Sequence, residues 1–405
     1  MKILVLNAGS SSQKSRLYDI GDSLPEKPPQ PLWSADADWM QQKGTISLTV
    51  TTAHGETVSE ERQGASHEAA LQHILNTLWR GPTRVIDGPA DIDMVGHRVV
   101  QGGPDYTHSV LITPVVKAEI QALSSWAPLH NPVNLEGIEA AQQLLPRIPE
   151  VAVFDTAFHC QISLPAAVYP GPYAWYEQGI RRYGFHGISY QYCTQRAAQI
   201  LGRDEKGLRL IACHLGNGCS AAAIQDGRSI DTTMGFTPLE GLMMGTRSGT
   251  VDPGILIYLL REHHDTADQF DRVLNKESGL LGISGVSSDM REILSAREAG
   301  NERAKLAFDI FIHRLRFFIG AMLASLGGLD ALIFTAGIGE HAPIVRAAAC
   351  ESFGFLGLRL DEQKNAQSLV DQDIATNDSA VRVLVIHTEE DWEIARECWK
   401  LARTT

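Results

Sequence analysis

Ile3-Leu4-Val5-Leu6-Asn7-Ala8-Gly9-Ser10-Ser11-Ser12-Gln13-Lys14 decides how the chain is read, because an apolar run stops abruptly there in small polar residues. Residues 3–6 are β-favouring and predict a buried strand. Gly9 and the serines after it predict a tight turn rich in N–H and hydroxyl donors, with Lys14 just beyond. Such a turn suits a phosphate. It does not match G-x-x-x-x-G-K-[ST], and residues 15–20 alternate like a second strand instead of opening a helix. Taken alone, strand, polar turn and strand fit an ordinary hairpin as well as a nucleotide loop.

The same unit recurs. Residues 208–213 read as a strand that ends in His214-Leu215-Gly216-Asn217-Gly218. A returning strand follows over 220–224, and then Asp226-Gly227, a hairpin signal. Two halves with the same opening predict an internal duplication: two like-folded α/β domains facing each other across a cleft. A length of 405 residues accommodates two domains with sizeable cores.

The formal charge of −13 argues against sequence-independent nucleic-acid binding and against an anionic membrane surface. If the ligands are phosphates, the site must be locally positive inside an acidic shell, so arginines and lysines in glycine-rich loops become the candidates. The six cysteines show no C-x-x-C pair, and several sit in apolar runs. They predict free thiols and a reducing cytoplasm. The opening residues lack the apolar core of a signal peptide. The uncharged stretch 317–329 is too short for a membrane span.

Along the chain, Pro25, Pro28, Pro29 and Pro31 mark a surface excursion, with strand alternation resuming at residues 45–51. Leu71, Ile74, Leu75 and Leu78 predict a helix capped by Ser66. A strand over 93–100 carries Arg98 near its end, and a strand over 151–154 ends in Asp155. The longest helix, 303–326, shows an apolar stripe of Leu306, Ile310, Leu315, Phe318, Ile319, Met322 and Leu326.

Gly245-Thr246-Arg247-Ser248-Gly249 is the most informative short stretch, since flanking glycines let the backbone approach a ligand that the guanidinium reaches. Each candidate has a plainer alternative: a surface ion pair for Arg98 or Arg247, a helix cap for Asp155, a first-turn acid for Glu390, a satisfied loop histidine for His186 or His130. No paired spacing of histidines and cysteines points to zinc. Gly337-Ile338-Gly339-Glu340, after a strand and with Asp361 downstream, has the look of a dinucleotide fingerprint. A nicotinamide reading leaves both hairpin turns and both arginine loops without a role, and a helix N-terminus holds ATP phosphates equally well.

In chain order N-A-G-S-S-S, G-H-R-V-V, A-P-L-H-N-P, F-D-T-A-F-H, Y-G-F-H-G, H-L-G-N-G, G-F-T-P-L-E-G-L, G-T-R-S-G, T-A-G-I-G-E and E-D-W-E-I-A-R-E cover nearly the whole chain, and the series resembles the acetate kinase family. The resemblance implies two duplicated actin-like (ribonuclease H-like) domains, divided as 1–157 plus 389–405 and 158–388, and paired as a homodimer. It implies reversible, Mg²⁺-dependent phosphorylation of acetate by ATP to acetyl phosphate and ADP, with Mn²⁺ as a possible substitute metal. By position, Asn7 and Glu390 match the metal residues, and Ser10, Ser12 and Lys14 the first phosphate loop. His214, Gly216, Asn217 and Gly218 match the second. Asp155, Arg98, Arg247 and His186 match the catalytic set, with His130 in support. Val100, Leu129, Phe185 and Pro238 match the pocket around the acetate methyl. Asp289, Met290, Arg291, Gly337, Ile338, Gly339 and Glu340 match the adenosine side. Propionate kinase and a non-catalytic ATP-dependent clamp are the alternatives. Gln101, Met290 and Glu389 depart from the family pattern, and they bear on metal affinity and nucleotide preference more than on the reaction.

Overall fold

The computed structural model describes residues 1–9, 12–39, 45–63, 67–367 and 369–404. Ser10 and the Ser66 cap lie outside them. The chain divides into two compact units, Met1–Ala157 with Glu389–Thr405, and Phe158–Thr388.

In the first unit β1 (Lys2–Ala8), β2 (Ser12–Asp19), β3 (Trp33–Trp39), β4 (Thr45–Thr52), β5 (Thr57–Gln63), β6 (Met94–Val99), β7 (Val110–Leu111) and β8 (Glu150–Phe154) form one sheet. Its order is β5-β4-β3-β2-β1-β6-β8-β7. Strands β1 to β5 run as an antiparallel meander, and β6 and β8 add in parallel beyond β1. β3 corrects the expectation that regular structure resumes only at residue 45. Trp33, Ala35 and Ala37 are buried while Asp36 and Asp38 face out, a period-2 pattern whose small alanines and acids hide it in sequence. Helices His67–Asn76 and Asn131–Leu144 cover the core of Leu4, Leu17, Trp33, Leu71, Leu75 and Ala141. The helix Glu390–Thr404 packs on β1 and β6. Contact there is close, since a Cβ on Gly96 would lie 2.6 Å from Cys398 Sγ.

In the second unit β9 (Arg209–Leu215), β10 (Cys219–Gln225), β11 (Arg228–Thr232), β12 (Ala331–Thr335), β13 (Gln372–Asp373) and β14 (Arg382–Val385) are ordered β11-β10-β9-β12-β14-β13. β11-β10-β9 is an antiparallel meander, and β12 and β14 run parallel beyond β9. This repeats β3-β2-β1-β6-β8 strand for strand, so the duplication is in the backbone as well as in the motifs. Asp226 (φ 53°) and Gly227 (φ 77°) turn the β10–β11 hairpin, the left-handed pair that a two-residue loop requires. Helices Gly187–Leu201 and Glu302–Leu326 pack on this sheet. The stripe expected on the long helix holds in its second half, where Leu315, Ile319, Met322 and Leu326 are buried, and fails at its start, where Ala304, Ala307, Phe308, Phe311 and Ile312 are buried and Leu306 is 52% exposed. Small alanines are buried beside the phenylalanines of its first turns, so the large side chains do not by themselves mark its inner face.

All six cysteines are free, and only Cys160 is exposed. No helix among the described residues is long and apolar enough to cross a membrane.

Candidate active site

In the first unit the polar groups gather at the ends of β1, β6 and β8. The turn between β1 and β2 is closed by Gly9 N–H donating to the Ser12 carbonyl at 2.8 Å. Ser12 is half-buried, and Lys14 is exposed on β2 between buried Gln13 and Ser15. Parallel pairing sets Arg98 beside Val153 and Val99 beside Phe154, and Asp155 N–H continues the ladder to the Val99 carbonyl at 2.9 Å. Arg98 therefore meets Asp155 at adjacent strand ends. Its Nε lies 3.2 and 3.1 Å from the two carboxylate oxygens, and its Nη2 donates at 2.6 Å. Burial alone would lower the Arg98 pKa; Asp155, then Glu390 and Asp391, carry it above its ordinary value.

Asp391 was not singled out in the sequence, yet it organises this cluster. Its Oδ1 accepts from Asn7 Nδ2 at 2.7 Å, and its Oδ2 lies 3.5 Å from Arg16 Nε. The amide of Asn7 is thereby fixed, with Oδ1 turned toward Arg98 Nη1 at 3.5 Å. Burial raises the Asp391 pKa against Arg16 and Asn7. As the second residue of a helix opening Glu390-Asp391, it reads in sequence as a dipole-favoured acid.

Val100, buried, donates its N–H to Asn134 Oδ1 at 3.1 Å. Asn131 exchanges two 3.0 Å bonds with the backbone of Gln101. Leu129 and His130, half-buried, lead into the helix that carries both asparagines. These two buried amides hold the loop after β6, and no sequence signal separates them from other helix-start asparagines.

In the second unit the β9–β10 turn is closed by Gly216 N–H donating to the Gly218 carbonyl at 3.1 Å. His186 sits in the left-handed region (φ 58°) at the start of the helix Gly187–Leu201. Its ring stacks on His214 with centroids 4.1 Å apart. His186 Nδ1 lies 2.7 Å from Ser220 Oγ, which is 2.5 Å from the Tyr190 hydroxyl. His214 Nδ1 lies 2.9 Å from Ser189 Oγ. Arg247 Nη1 donates to the Pro238 carbonyl at 2.7 Å. A Cβ on Gly218 would lie 3.3 Å from Arg247 Nη2 and 3.6 Å from His186 Nε2, so the glycine is where arginine and histidine converge. Gly245 N–H donates to the Asn217 carbonyl at 3.0 Å, and a Cβ on Gly245 would collide with the Asn217 side chain.

Phe185, buried, gives its carbonyl to His159 Nε2 at 3.0 Å, while His159 Nδ1 meets Ser229 Oγ at 2.7 Å. His159 thus donates from Nε2 and accepts at Nδ1. Burial lowers its pKa to about 4. The turn also adjoins the adenosine-side motif: Gly216 lies close to Ala336, and Gly245 to the Ser288 carbonyl. Asp289 caps the helix Met290–Glu298 and pairs with exposed Arg291, while Met290 is buried. Gly337, Ile338, Gly339 and Glu340 form the short helix Ala336–His341, entered through left-handed Ala336 (φ 64°). Buried Glu340 takes a 2.7 Å contact from His387 Nδ1, and buried Arg346 donates to the Gly339 and Glu340 carbonyls at 2.9 and 2.7 Å. Asp361 caps the helix Glu362–Gln367 through the N–H groups of Gln363 and Lys364, which is a different position from that of a ribose-binding acid at a strand end.

Two copies of one sheet topology, each with a polar turn between its first pair of strands, define the actin-like class of duplicated α/β proteins. Residues 2–396 match the Acetokinase family, and the chain belongs to that family. The chain is 63% identical over its whole length to the full acetate kinase of Nostoc punctiforme. Among solved structures it is similar to the acetate kinase of Porphyromonas gingivalis, with 40% identity, 99% of each chain covered and a TM-score of 0.88. It is also similar to a propionate kinase from Francisella tularensis, with 38% identity, 98% of each chain covered and a TM-score of 0.88.

Proposed function

We propose that the protein catalyses reversible transfer of the γ-phosphoryl group of ATP to acetate, giving ADP and acetyl phosphate. The observation that carries this reading is the convergence of Arg247 and His186 on Gly218, where a Cβ would crowd the arginine and touch the histidine. Acetate, with a pKa of about 4, is already the nucleophile at neutral pH, so no general base is needed. The obstacle is repulsion between an anion and a polyanion. Positioning and charge neutralisation then carry most of the rate.

In this reading Arg98, Val100, Leu129, His130, Phe185 and Pro238 serve the acetate. Ser12, Lys14, His214 and Asn217 serve the phosphates, and residues 289–291 and 337–340 the adenosine. An acetate oxygen attacks the γ-phosphorus, the bond to the β–γ bridging oxygen breaks, and ADP leaves with the electron pair. Tyr190 donating to Ser220, and Ser220 to His186 Nδ1, would leave the proton on His186 Nε2. That supports His186 as a hydrogen-bond donor to the phosphoryl group in transit and not as a phosphorylated intermediate. Arg247 and Arg98 balance the charge.

The oxygen donors of Asn7 and Glu390 suit Mg²⁺, which binds few protein ligands and completes its shell with water and phosphate oxygens. Bound there, Mg²⁺ would supply charge neutralisation on the phosphates. Asp391, accepting from Asn7 Nδ2, would hold the amide with its oxygen on the side that faces Arg98.

The test is acyl phosphate formation, trapped with hydroxylamine, from ATP and Mg²⁺ with acetate, propionate or butyrate. Acetate-led product supports the reading. A propionate preference, the alternative that the Francisella relative favours, keeps the mechanism and changes the substrate. ATP binding without product from any acid would mean a non-catalytic clamp.

The same reading includes a cytoplasmic homodimer. The helix Pro253–Glu262 buries none of its residues and exposes Ile255, Ile257, Tyr258 and Leu260 around its axis, an apolar surface suited to a second copy. Ile257→Asp is expected to convert dimer to monomer in light scattering; an unchanged mass would rule out this face.

A further inference from the structure

Three side chains with no assigned part in the transfer converge on the loop that carries Pro238. The Tyr169 hydroxyl donates to Glu240 Oε2 and accepts from Phe236 N–H at 2.9 Å. Arg182 Nη2 donates to Glu240 Oε1 at 2.8 Å, and its Nη1 donates to the Thr233 and Met234 carbonyls at 3.2 and 3.0 Å. The Arg182 guanidinium also lies over the Tyr169 ring, 5.6 Å from its centroid. A Cβ on Gly235 would collide with both the Glu240 carboxylate and the Tyr169 hydroxyl, so the loop closes directly onto the clamp. Just beyond, Gly241 (φ 107°) donates to Thr250 Oγ1 at 2.9 Å and accepts from Thr250 N–H at 3.0 Å. Residues 235–241 are therefore tied down at both ends, with Pro238 between the ties. Its carbonyl is the acceptor of Arg247.

We propose that Glu240, clamped by Tyr169 and Arg182, is a positioning residue that fixes the acyl-pocket wall at Pro238 and aims Arg247 through the Pro238 carbonyl. This rests on the reading of the chain as a carboxylate kinase. A wall held by three polar side chains resists displacement by a longer acyl group. Loosening it lets Pro238 yield to an extra methylene while Arg247 loses its alignment. Discrimination of one methylene in an apolar pocket spans roughly 10- to 200-fold, so a wall that gives way has a measurable range over which to lose selectivity.

The experiment compares the full-length protein with Tyr169→Phe and Glu240→Gln. Steady-state kinetics are measured with acetate and with propionate, and ATP affinity is measured by calorimetry. Both variants are expected to raise the KM for acetate and to shift the propionate-to-acetate ratio of kcat/KM by about fivefold or more toward propionate, with ATP affinity within about twofold. Tyr169→Phe keeps the Glu240–Arg182 pair and guards against misfolding of Glu240→Gln. A ratio unchanged in both variants would overturn the proposal, as would equal losses with both acids accompanied by weaker ATP binding. If the wild-type protein phosphorylates neither acid, the functional reading fails and the proposal fails with it. If the wild type is active and the ratio does not move, the clamp alone is wrong.

Discussion

Arg98 and Arg247 present the same guanidinium in two different settings. Arg98 is bound through Nε and Nη2 to Asp155, whose side chain is 1% exposed. Arg247 donates from Nη1 to a backbone carbonyl, that of Pro238. A carboxylate offsets the charge it touches, whereas a bond to a carbonyl orients a guanidinium. The difference suggests that Arg98 ties two strand ends together as well as meeting an anion, and that Arg247 is held mainly for aim.

The largest expected effect is on Arg247. Arg247→Ala should lower kcat/KM for acetate by about 10²- to 10³-fold, the usual loss when a transition-state charge donor is removed, with a Tm close to wild type. Arg247→Lys should not restore it, because a point charge lacks the planar fork. A loss below tenfold would break the comparison at its stronger end.

Asp155→Asn should do what Arg247→Ala does not. Removing one partner of a buried pair costs about 3–5 kcal/mol, and partial exposure of Arg98 brings the expectation to about 2 kcal/mol, or roughly 4–8 °C in the Tm of its unit. A variant that melts with the wild type would show that Arg98 is no more structural than Arg247.

The smallest effect concerns the bonds of His159 to the Ser229 hydroxyl and the Phe185 carbonyl, which need His159 neutral. Its folded pKa of about 4 lies below the ordinary value of 6.5, so the folded state resists protonation. The stability it contributes is complete above about pH 6.5 and is lost as pH falls through 4, amounting to about 1 kcal/mol near pH 5.5. Melting temperatures between pH 7 and 4 should fall less steeply for His159→Gln than for the wild type. Parallel slopes would remove His159 from the account.

Much of this molecule is legible in its sequence, and the legible parts share a cause. The β1–β2 and β9–β10 units are recognisable because strand alternation and glycine turns are local, set by the pleat and by φ freedom within a few residues. Arg98, Asp155 and Arg247 stand out for the same reason, each lying at a strand end or between glycines. Where the local signal is weak the reading fails. The alanines of β3 and of the helix Glu302–Leu326 face inward without looking apolar enough to show it, and exposed, polar β5 gives almost no period at all.

The sequence by itself determined the duplicated architecture and marked the candidate anion-handling residues, because periodicity and turn chemistry act over short stretches of chain. Only the tertiary structure decided what those residues hold on to. Asn7 meets Asp391 across 384 positions, and Glu240 meets Tyr169 across 71. Such partners are chosen by sheet register and by where the helix Glu390–Thr404 or the loop 235–241 comes to rest. A hydrogen bond is specified by distance and angle in space, to which separation along the chain gives no clue.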